Sequence, residues 1–210
     1  MIKVLVSDDH ALLRTGVKEI VMRGFQGAVC GEAANAEEVF AAVQRQEWDL
    51  VILDINMPGP GGVEVLRELK RLHPKLPVLV LSVHPEDQYG KRLLKAGASG
   101  YMNKDVAPDE LVKAVRKVLT GGRYVSPALA ERLAFDLNAG DVGPVHDALS
   151  EREFEVLRLI ASGKTVTEIA EKIHLSVATV STYRARILLK MNMTTTAELI
   201  RYGIENRIVD

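Results

Sequence analysis

The chain has 210 residues, of which 47% are hydrophobic and 26% charged, with a net charge of −1, which describes an ordinary globular protein of one large or two modest domains. No apolar run approaches the roughly 20 residues that a membrane-spanning helix needs, so we expect a cytoplasmic protein with no membrane partner. The single cysteine, Cys30, excludes a disulfide framework and a thiolate zinc site.

Short apolar runs alternate with helical patterns through the first 120 residues. Strict alternation predicts right-handed β-α-β crossovers, and apolar residues on both faces of each run suit a sheet covered by helices. We therefore predict an α/β fold with a five-stranded doubly wound parallel sheet. The predicted strands are Lys3–Ser7, Ala28–Ala33, Asp49–Leu53, Pro77–Leu81 and Ala98–Met102, and the predicted helices are Ala11–Arg23, Glu37–Gln46, Gly62–Leu72, Tyr89–Ala96 and Pro108–Leu119.

Reactive polar residues follow four of these strands. Asp8 and Asp9 follow the first strand, Asp54 the third, Ser82 the fourth, and Lys104 the fifth. Because the carboxyl ends of parallel strands share one edge of a sheet, we expect these side chains to meet in one pocket. Clustered carboxylates repel one another unless a cation neutralises them. The pattern therefore indicates a metal ion and phosphate chemistry.

Residues 121–148 are a predicted linker. Two glycines end the preceding helix, and Gly140 and Gly143 interrupt any regular structure further on. Between them, Pro127–Leu137 has a weak helical pattern, so we predict that the linker is partly helical.

The pattern from residue 149 to residue 210 is helical throughout and predicts a small all-α domain. A capping box, Ser150-Glu151-Arg152-Glu153, opens its first helix. Between His174 and Lys190 the sequence carries three cations and no acid, which is the only candidate footprint for nucleic acid. Four helices are predicted. The first ends at Ala161, and the others are Val166–Ile173, Val177 to about Met191, and Thr196–Glu205.

The strand-end residues, together with the run Asp54-Ile55-Asn56-Met57-Pro58, resemble the receiver domain of bacterial two-component response regulators. The resemblance covers residues 1–120 and implies a flavodoxin/CheY-like fold. It implies that Asp54 is the phosphoacceptor, whose carboxylate takes a phosphoryl group from the phosphohistidine of a sensor histidine kinase. It also implies a Mg²⁺ ion, which prefers oxygen ligands. The implied ligands are Asp8, Asp9, Asp54 and the main-chain carbonyl of Asn56.

Further roles follow from the same resemblance. Lys104 places a positive charge against the phosphoryl oxygens, and the Ser82 hydroxyl reorients toward them. Tyr101 corresponds to an aromatic residue whose rotamer changes with that shift, although a half-buried strand aromatic is an equal alternative. We interpret His10 and His84 as structural, because neither has metal-ligand spacing to the other.

Five motifs stand in order in the C-terminal half: Leu149-Ser150-Glu151-Arg152-Glu153, Val156-Leu157, Ala161-Ser162-Gly163, Glu168-Ile169-Ala170 and Leu175-Ser176-Val177-Ala178-Thr179-Val180-Ser181. They resemble the helix-turn-helix output domain of the NarL/FixJ (LuxR-type) regulators over residues 149–204. The resemblance implies that the helix beginning at Val177 reads the major groove of DNA.

On a helical wheel, Val180, Tyr183, Ile187 and Met191 fall on one side and are predicted to pack in the core. Small residues lie opposite and allow close approach to a groove. We predict hydrogen bonds to base edges from hydroxyl groups and phosphate contacts from cations. The residues predicted to contact DNA are Ser181, Thr182, Arg184, Ala185, Arg186 and Lys190.

The C-terminal residues depart from the pattern of the family that they resemble at positions that usually carry more cations. Val166 and Thr167 replace an Asn and a basic residue, and Ser181 and Tyr183 replace Lys and His. Fewer cations predict weaker nonspecific binding and a shallower salt dependence for one protomer. A homodimer formed on phosphorylation would offset this through paired half-sites. The final helix suits either that dimer or core packing.

These features predict a transcription regulator, not an enzyme, in which phosphorylation of Asp54 controls sequence-specific DNA binding. The main alternative is a phosphorylation-independent DNA-binding regulator that uses the receiver for dimerisation. A phosphotransfer or phosphohydrolase enzyme would need no DNA. An RNA-binding output domain would need exposed aromatic residues for stacking, of which this one offers only Tyr183 and Tyr202.

Overall fold

The computed structural model describes residues 1–57, 62–84, 86–105, 107–138, 144–206 and 208–209. The chain divides into two compact units, Met1–Asp141 and Val142–Asp210, which we name the N-terminal unit and the C-terminal unit. Pro58, Gly140 and Gly143 of the sequence motifs lie outside the described residues. Within the described ranges, every helix is too short or too polar to cross a membrane.

The N-terminal unit is built on the predicted five-stranded sheet. All strand pairs are parallel, and the spatial order is β2-β1-β3-β4-β5. The strands are β1 Lys3–Ser7, β2 Val29–Ala33, β3 Leu50–Asp54, β4 Val78–Ser82 and β5 Gly100–Asn103, and the helices are α1 Ala11–Gly24, α2 Ala36–Arg45, α3 Gly62–Leu72, α4 Glu86–Lys95, α5 Pro108–Leu119 and α6 Pro127–Asn138. The predicted fold class is confirmed.

Hydrophobic burial on both faces holds this sheet. Every residue of β3 and β4 is buried, because helices cover both of their faces. One face packs on α1 and α5, where Val4 and Val6 lie in a cluster with Val17 and Val115. Two inner strands without an exposed face make a rigid platform for the residues at their ends.

The strand register brings the polar strand ends together. Ser7 pairs with Leu53, so Asp8 and Asp54 follow at the same level of adjacent strands. Ser82 pairs with Asn103, which places Lys104 next to the end of β4. The topology therefore gathers residues that are far apart in sequence at one edge, as parallel strands require.

Helix α4 begins one turn earlier than the predicted Tyr89. The apolar pattern starts only at Tyr89 because the first turn is polar, yet its Glu86 carboxylate accepts a hydrogen bond from the Ser126 backbone N–H at 3.1 Å. Helix α6, from the predicted linker, packs against α4 within the N-terminal unit. A Cβ at Gly90 would lie 2.6 Å from Leu129 Cδ2, so the absence of a side chain at Gly90 leaves room for the buried Leu129 side chain.

The C-terminal unit is helical, as predicted. A 3₁₀ helix, Val145–Ala148, precedes α7 Glu151–Ala161, α8 Val166–Lys172, α9 Val177–Lys190 and α10 Thr196–Glu205. Capping boxes open α7, α8 and α10, each with a Ser or Thr and a Glu three residues later. Gly163 ends α7 with φ +81°, a conformation that glycine adopts readily. These caps fix the residues at which α7, α8 and α10 begin.

Candidate functional site

The strand-end pocket is a buried cluster of opposite charges. Lys104 Nζ donates hydrogen bonds to Asp8 Oδ2 at 2.8 Å and to Asp54 Oδ2 at 2.7 Å. The side chains of Lys104, Asp8 and Asp54 are 7%, 4% and 0% exposed. The backbone N–H of Lys104 also donates to the Ser82 carbonyl at 2.9 Å, which fixes the start of the lysine side chain. The structure thus brings together four of the predicted pocket residues.

Burial and hydrogen bonding have opposite effects on the pKa values of the pocket. Burial raises the pKa of Asp54 above its usual value, against hydrogen bonds from Lys104 and from the Asn56 backbone N–H, which lies 3.0 Å from Asp54 Oδ1. Burial alone would lower the pKa of Lys104, but the hydrogen bonds to Asp54 and Asp8 outweigh it and raise that pKa. The lysine therefore stays charged, and a desolvated carboxylate faces it, which suits a nucleophile.

An acidic group beside this lysine matches the needs of a hard cation. Ligand atoms of Asp8, Asp9, His10 and Asp54 lie within 4.8 Å of one another. Asp9 Oδ1 is buried and accepts no hydrogen bond from the described residues, although His10 Nδ1 lies 2.8 Å away. Three carboxylates, one of them with a buried oxygen that accepts no hydrogen bond within the described structure, fit a cation that prefers oxygen ligands.

Two histidines lie closer to the pocket than the sequence predicted. The exposed His10 ring contacts Asp9 and so borders the acidic group. His84 Nε2 lies 3.0 Å from Asn56 Oδ1, and the His84 ring stacks on Tyr89 with ring centroids 4.5 Å apart. The signal that sequence reasoning passed over is the position of His84 two residues after Ser82, at the same sheet edge as Asn56.

The backbone of His84 also joins the two predicted switch residues. Its N–H donates to Ser82 Oγ at 3.1 Å, and its carbonyl accepts from the Tyr101 hydroxyl at 2.7 Å. Ser82 and Tyr101 are 0% and 1% exposed, so Tyr101 lies inside the fold. A movement of the Ser82 hydroxyl toward the pocket would remove its hydrogen bond with the His84 N–H. The carbonyl of the same residue accepts the hydrogen bond from Tyr101 on β5.

Helix α9 packs and faces solvent as the helical wheel predicts. Val180, Ile187 and Met191 are buried, and Tyr183 is half-buried. The Ser176 hydroxyl accepts from the Thr179 backbone N–H at 3.0 Å and caps the helix. The opposite face exposes Ala178, Thr182, Ala185, Arg186 and Leu189, whereas Ser181 is partly exposed. Apart from Arg186 and Leu189, the side chains on this outer face are small.

The three predicted phosphate-contacting cations of α9 have different surroundings. Lys190 Nζ forms an ion pair with Glu153 Oε2 of α7 at 2.6 Å. Arg184 is partly buried, with its Nη1 3.5 Å from Thr196 Oγ1 of α10. Arg186 is exposed, and no ion pair is found for it among the described residues. The helix wheel placed these residues on faces but gave no indication of the partners of their long side chains.

Comparison with known families divides the chain as the fold does. The family described as "Response regulator receiver domain" matches residues 4–116, and the family described as "Bacterial regulatory proteins, luxR family" matches residues 147–203. The two matches cover the sheet with its pocket and the four-helix region that contains α9.

Whole proteins show the same combination. The chain is 40% identical over 213 residues to the response regulator GacA of Pseudomonas aeruginosa, covering 100% of this chain and 99% of that protein. It is 36% identical over 213 residues to the response regulator UvrY of Escherichia coli, covering 98% and 97%. A solved structure of Salmonella enterica RcsB, bound to a promoter in the presence of the phosphomimetic BeF₃⁻, matches with a TM-score of 0.60 and 27% identity over 96% of this chain and 97% of that one.

Proposed function

Because this chain belongs to the bacterial response regulators that join a receiver domain to a LuxR-type DNA-binding domain, we propose that phosphorylation of Asp54 controls the binding of α9 to promoter DNA. The observation that carries this proposal is the pair of hydrogen bonds from Lys104 to Asp8 and Asp54 inside the buried pocket. A sensor histidine kinase is the proposed phosphoryl donor.

The pocket residues have separate roles in the transfer. A carboxylate oxygen of Asp54 attacks the phosphorus atom, the bond from phosphorus to the donor histidine nitrogen breaks, and an acyl phosphate forms. Lys104 neutralises charge on the phosphoryl oxygens, and the Ser82 hydroxyl donates a hydrogen bond to one of them. Asp8, Asp9, Asp54 and the Asn56 carbonyl would hold Mg²⁺, which would supply positive charge to the phosphoryl oxygens.

The signal leaves the pocket through His84. When Ser82 turns to the phosphoryl group, the His84 N–H loses its 3.1 Å contact with Ser82 Oγ. The carbonyl of the same residue holds the Tyr101 hydroxyl. The loop and Tyr101 therefore move together, and the surface around α4 and β5 changes with them.

The outer face of α9 is the proposed DNA-reading surface. Ser181 and Thr182 offer hydroxyl groups to base edges, Ala185 allows close approach, and Arg186 contacts a phosphate. RcsB, a structural relative, has been solved as dimers bound to DNA, with a TM-score of 0.60 and 26% identity over 96% of this chain and 97% of that one. By this likeness, the phosphorylated protein binds promoter DNA as a homodimer.

Phosphoryl uptake tests the nucleophile. The full chain is incubated with radiolabelled acetyl phosphate and Mg²⁺, alongside Asp54→Asn and the exposed control Asp109→Asn on α5. We expect acid-stable but base-labile label on the unchanged chain and on Asp109→Asn, and none on Asp54→Asn. Equal label on Asp54→Asn would show that another residue is the phosphoacceptor.

A further inference from the structure

We infer that Lys190 is a positioning residue for DNA recognition: it fixes α9 to α7 through Glu153 and does not contact a phosphate. This inference rests on the proposed binding of α9 to DNA. It separates Lys190 from Arg186, which lies on the same helix and which the sequence pattern assigned to the same role.

Glu153 is a prearranged partner for this lysine. Its side chain is 3% exposed, and its Oε2 accepts both the Lys190 ammonium at 2.6 Å and the Ser150 backbone N–H at 2.6 Å. The Ser150 hydroxyl in turn accepts from the Glu153 backbone N–H at 3.3 Å. The carboxylate therefore belongs to the capping box that fixes the start of α7, and the lysine joins the end of α9 to that fixed point.

Losing Lys190 would be costly for Glu153, because the Glu153 side chain is 3% exposed whereas that of Lys190 is 40% exposed. A buried ionised group that loses its partner retains the full penalty of desolvation. A phosphate on DNA would have to compensate for that loss before it gained anything from the lysine. Arg186 can contact a phosphate without breaking an ion pair, because its exposed side chain has none within the described residues.

Because the ion pair lies at the end of α9, its loss would displace the base-reading residues of that helix. Lys190 is the last residue of α9, and the packing residues Val180 and Ile187 hold one face of the helix. Ser181 lies nine residues earlier, about 13 Å along the axis at 1.5 Å per residue. A tilt of about 10° at the Lys190 end moves Ser181 by about 2 Å, which exceeds the tolerance of a hydrogen bond.

Arg184 supports the same interpretation from the other side of the helix. Its guanidinium reaches Thr196 at the start of α10, and its Nε is buried without a hydrogen-bond partner in the described structure. Two of the three α9 cations thus face neighbouring helices, one toward α7 and one toward α10. The orientation of α9 is therefore set by contacts at separate points along its length.

The test compares two variants that each remove one cation, Lys190→Met and Arg186→Met, in the full chain. The probes are a duplex that the unchanged protein selects from a random-sequence pool and a scrambled duplex of the same composition. Dissociation constants are measured from about 50 to about 200 mM KCl, at a temperature where circular dichroism shows all variants to be folded.

The two roles give different results. For Lys190→Met we expect about a tenfold loss of affinity for the selected duplex, little change for the scrambled one, and an unchanged salt slope, because base contacts depend on helix orientation. For Arg186→Met we expect similar losses on both duplexes and a salt slope smaller by about 0.9, because one phosphate contact is gone. Lys190→Arg should restore most of the discrimination between the duplexes.

A second variant guards against loss of folding. Lys190→Met combined with Glu153→Gln leaves no buried charge without a partner, and it should discriminate no worse than Lys190→Met alone, because the pair acts as one unit. A reduced salt slope for Lys190→Met would identify a phosphate contact, and unchanged affinity would identify a purely stabilising ion pair. Either result overturns the inference. If the unchanged protein selects no duplex, the proposed function fails instead.

Discussion

Each unit of the molecule buries a carboxylate against a lysine from a distant part of the sequence, and the two arrangements differ in charge balance. Lys104 serves both Asp8 and Asp54, and Asp9 beside them has an oxygen that accepts no hydrogen bond in the described structure. Lys190 serves Glu153 alone. A buried cluster with excess negative charge is prepared for a cation and a phosphoryl group, whereas a balanced pair is prepared only to hold two helices together.

Removing the pocket lysine should have the largest effect. Lys104→Met deprives the phosphoryl oxygens of their fixed positive charge, so we expect phosphoryl uptake from acetyl phosphate to fall by about 100-fold or more. Lys113→Met on α5, whose side chain is 70% exposed, is the control and should keep normal uptake. Uptake within about threefold of the unchanged chain would remove Lys104 from the transfer step.

Removing the structural lysine should act on stability and spare phosphorylation. Lys190→Met leaves Glu153 buried without its cation, and we expect the C-terminal unit to lose about 2 kcal/mol of unfolding free energy. Urea unfolding followed by far-ultraviolet circular dichroism measures the loss. Trp48, the sole tryptophan, lies in the N-terminal unit, so its fluorescence transition should stay unchanged.

Magnesium should stabilise one unit and not the other. At ten times its dissociation constant, a cation that binds only the folded N-terminal unit adds about 1.4 kcal/mol to its stability. The Trp48 transition should therefore move to higher urea concentration with MgCl₂, while Asp9→Asn should weaken the shift. An equal shift in Asp9→Asn would mean that this aspartate is no ligand.

The smallest expected effect is that of acid on stability, which should differ in sign between Glu153 and Asp54. Burial opposes ionisation of Glu153, but Lys190 and the Ser150 N–H outweigh it and hold its pKa below the usual 4.5. Its contribution is present above pH 4.5 and is lost as the pH falls through the lower folded pKa. Asp54 behaves oppositely: burial raises its pKa above the usual 3.8, so stability rises as the pH falls through the folded pKa.

Unfolding free energies between about pH 6 and pH 3 measure both contributions. Glu153→Gln should flatten the acid-side loss of stability in the C-terminal unit, and Asp54→Asn should remove the opposing gain in the N-terminal unit. If Glu153→Gln left the acid-side slope of the C-terminal unit unchanged, the ion pair with Lys190 would not contribute to it.

The sequence predicted which residues gather at the sheet edge because their placement follows from topology. Alternating strands and helices determine a parallel sheet, and a parallel sheet brings Asp8, Asp54, Ser82 and Lys104 to one edge whatever the loops do. The partner of Lys190 could not be predicted in this way. Glu153 lies 37 residues away on another helix, and a long side chain can extend to solvent, to DNA or along a neighbouring helix from the same position on the wheel.

Local pattern also could not predict where α6 packs or what His84 contacts. The weak periodicity of Pro127–Leu137 indicated a helix, but the place for Leu129 is made by Gly90 on α4. His84 contacts Asn56, which lies 28 residues away and follows a different strand. Both contacts depend on tertiary packing between elements that are far apart in the sequence.

The most direct test of the account is the affinity of the full chain for its selected duplex with and without acetyl phosphate and Mg²⁺, measured in parallel with Asp54→Asn. We predict that the phosphodonor tightens binding by about fivefold or more in the unchanged chain and has no effect on Asp54→Asn. If the affinity is the same with and without the phosphodonor, in a chain shown to be phosphorylated, control of DNA binding by Asp54 is contradicted.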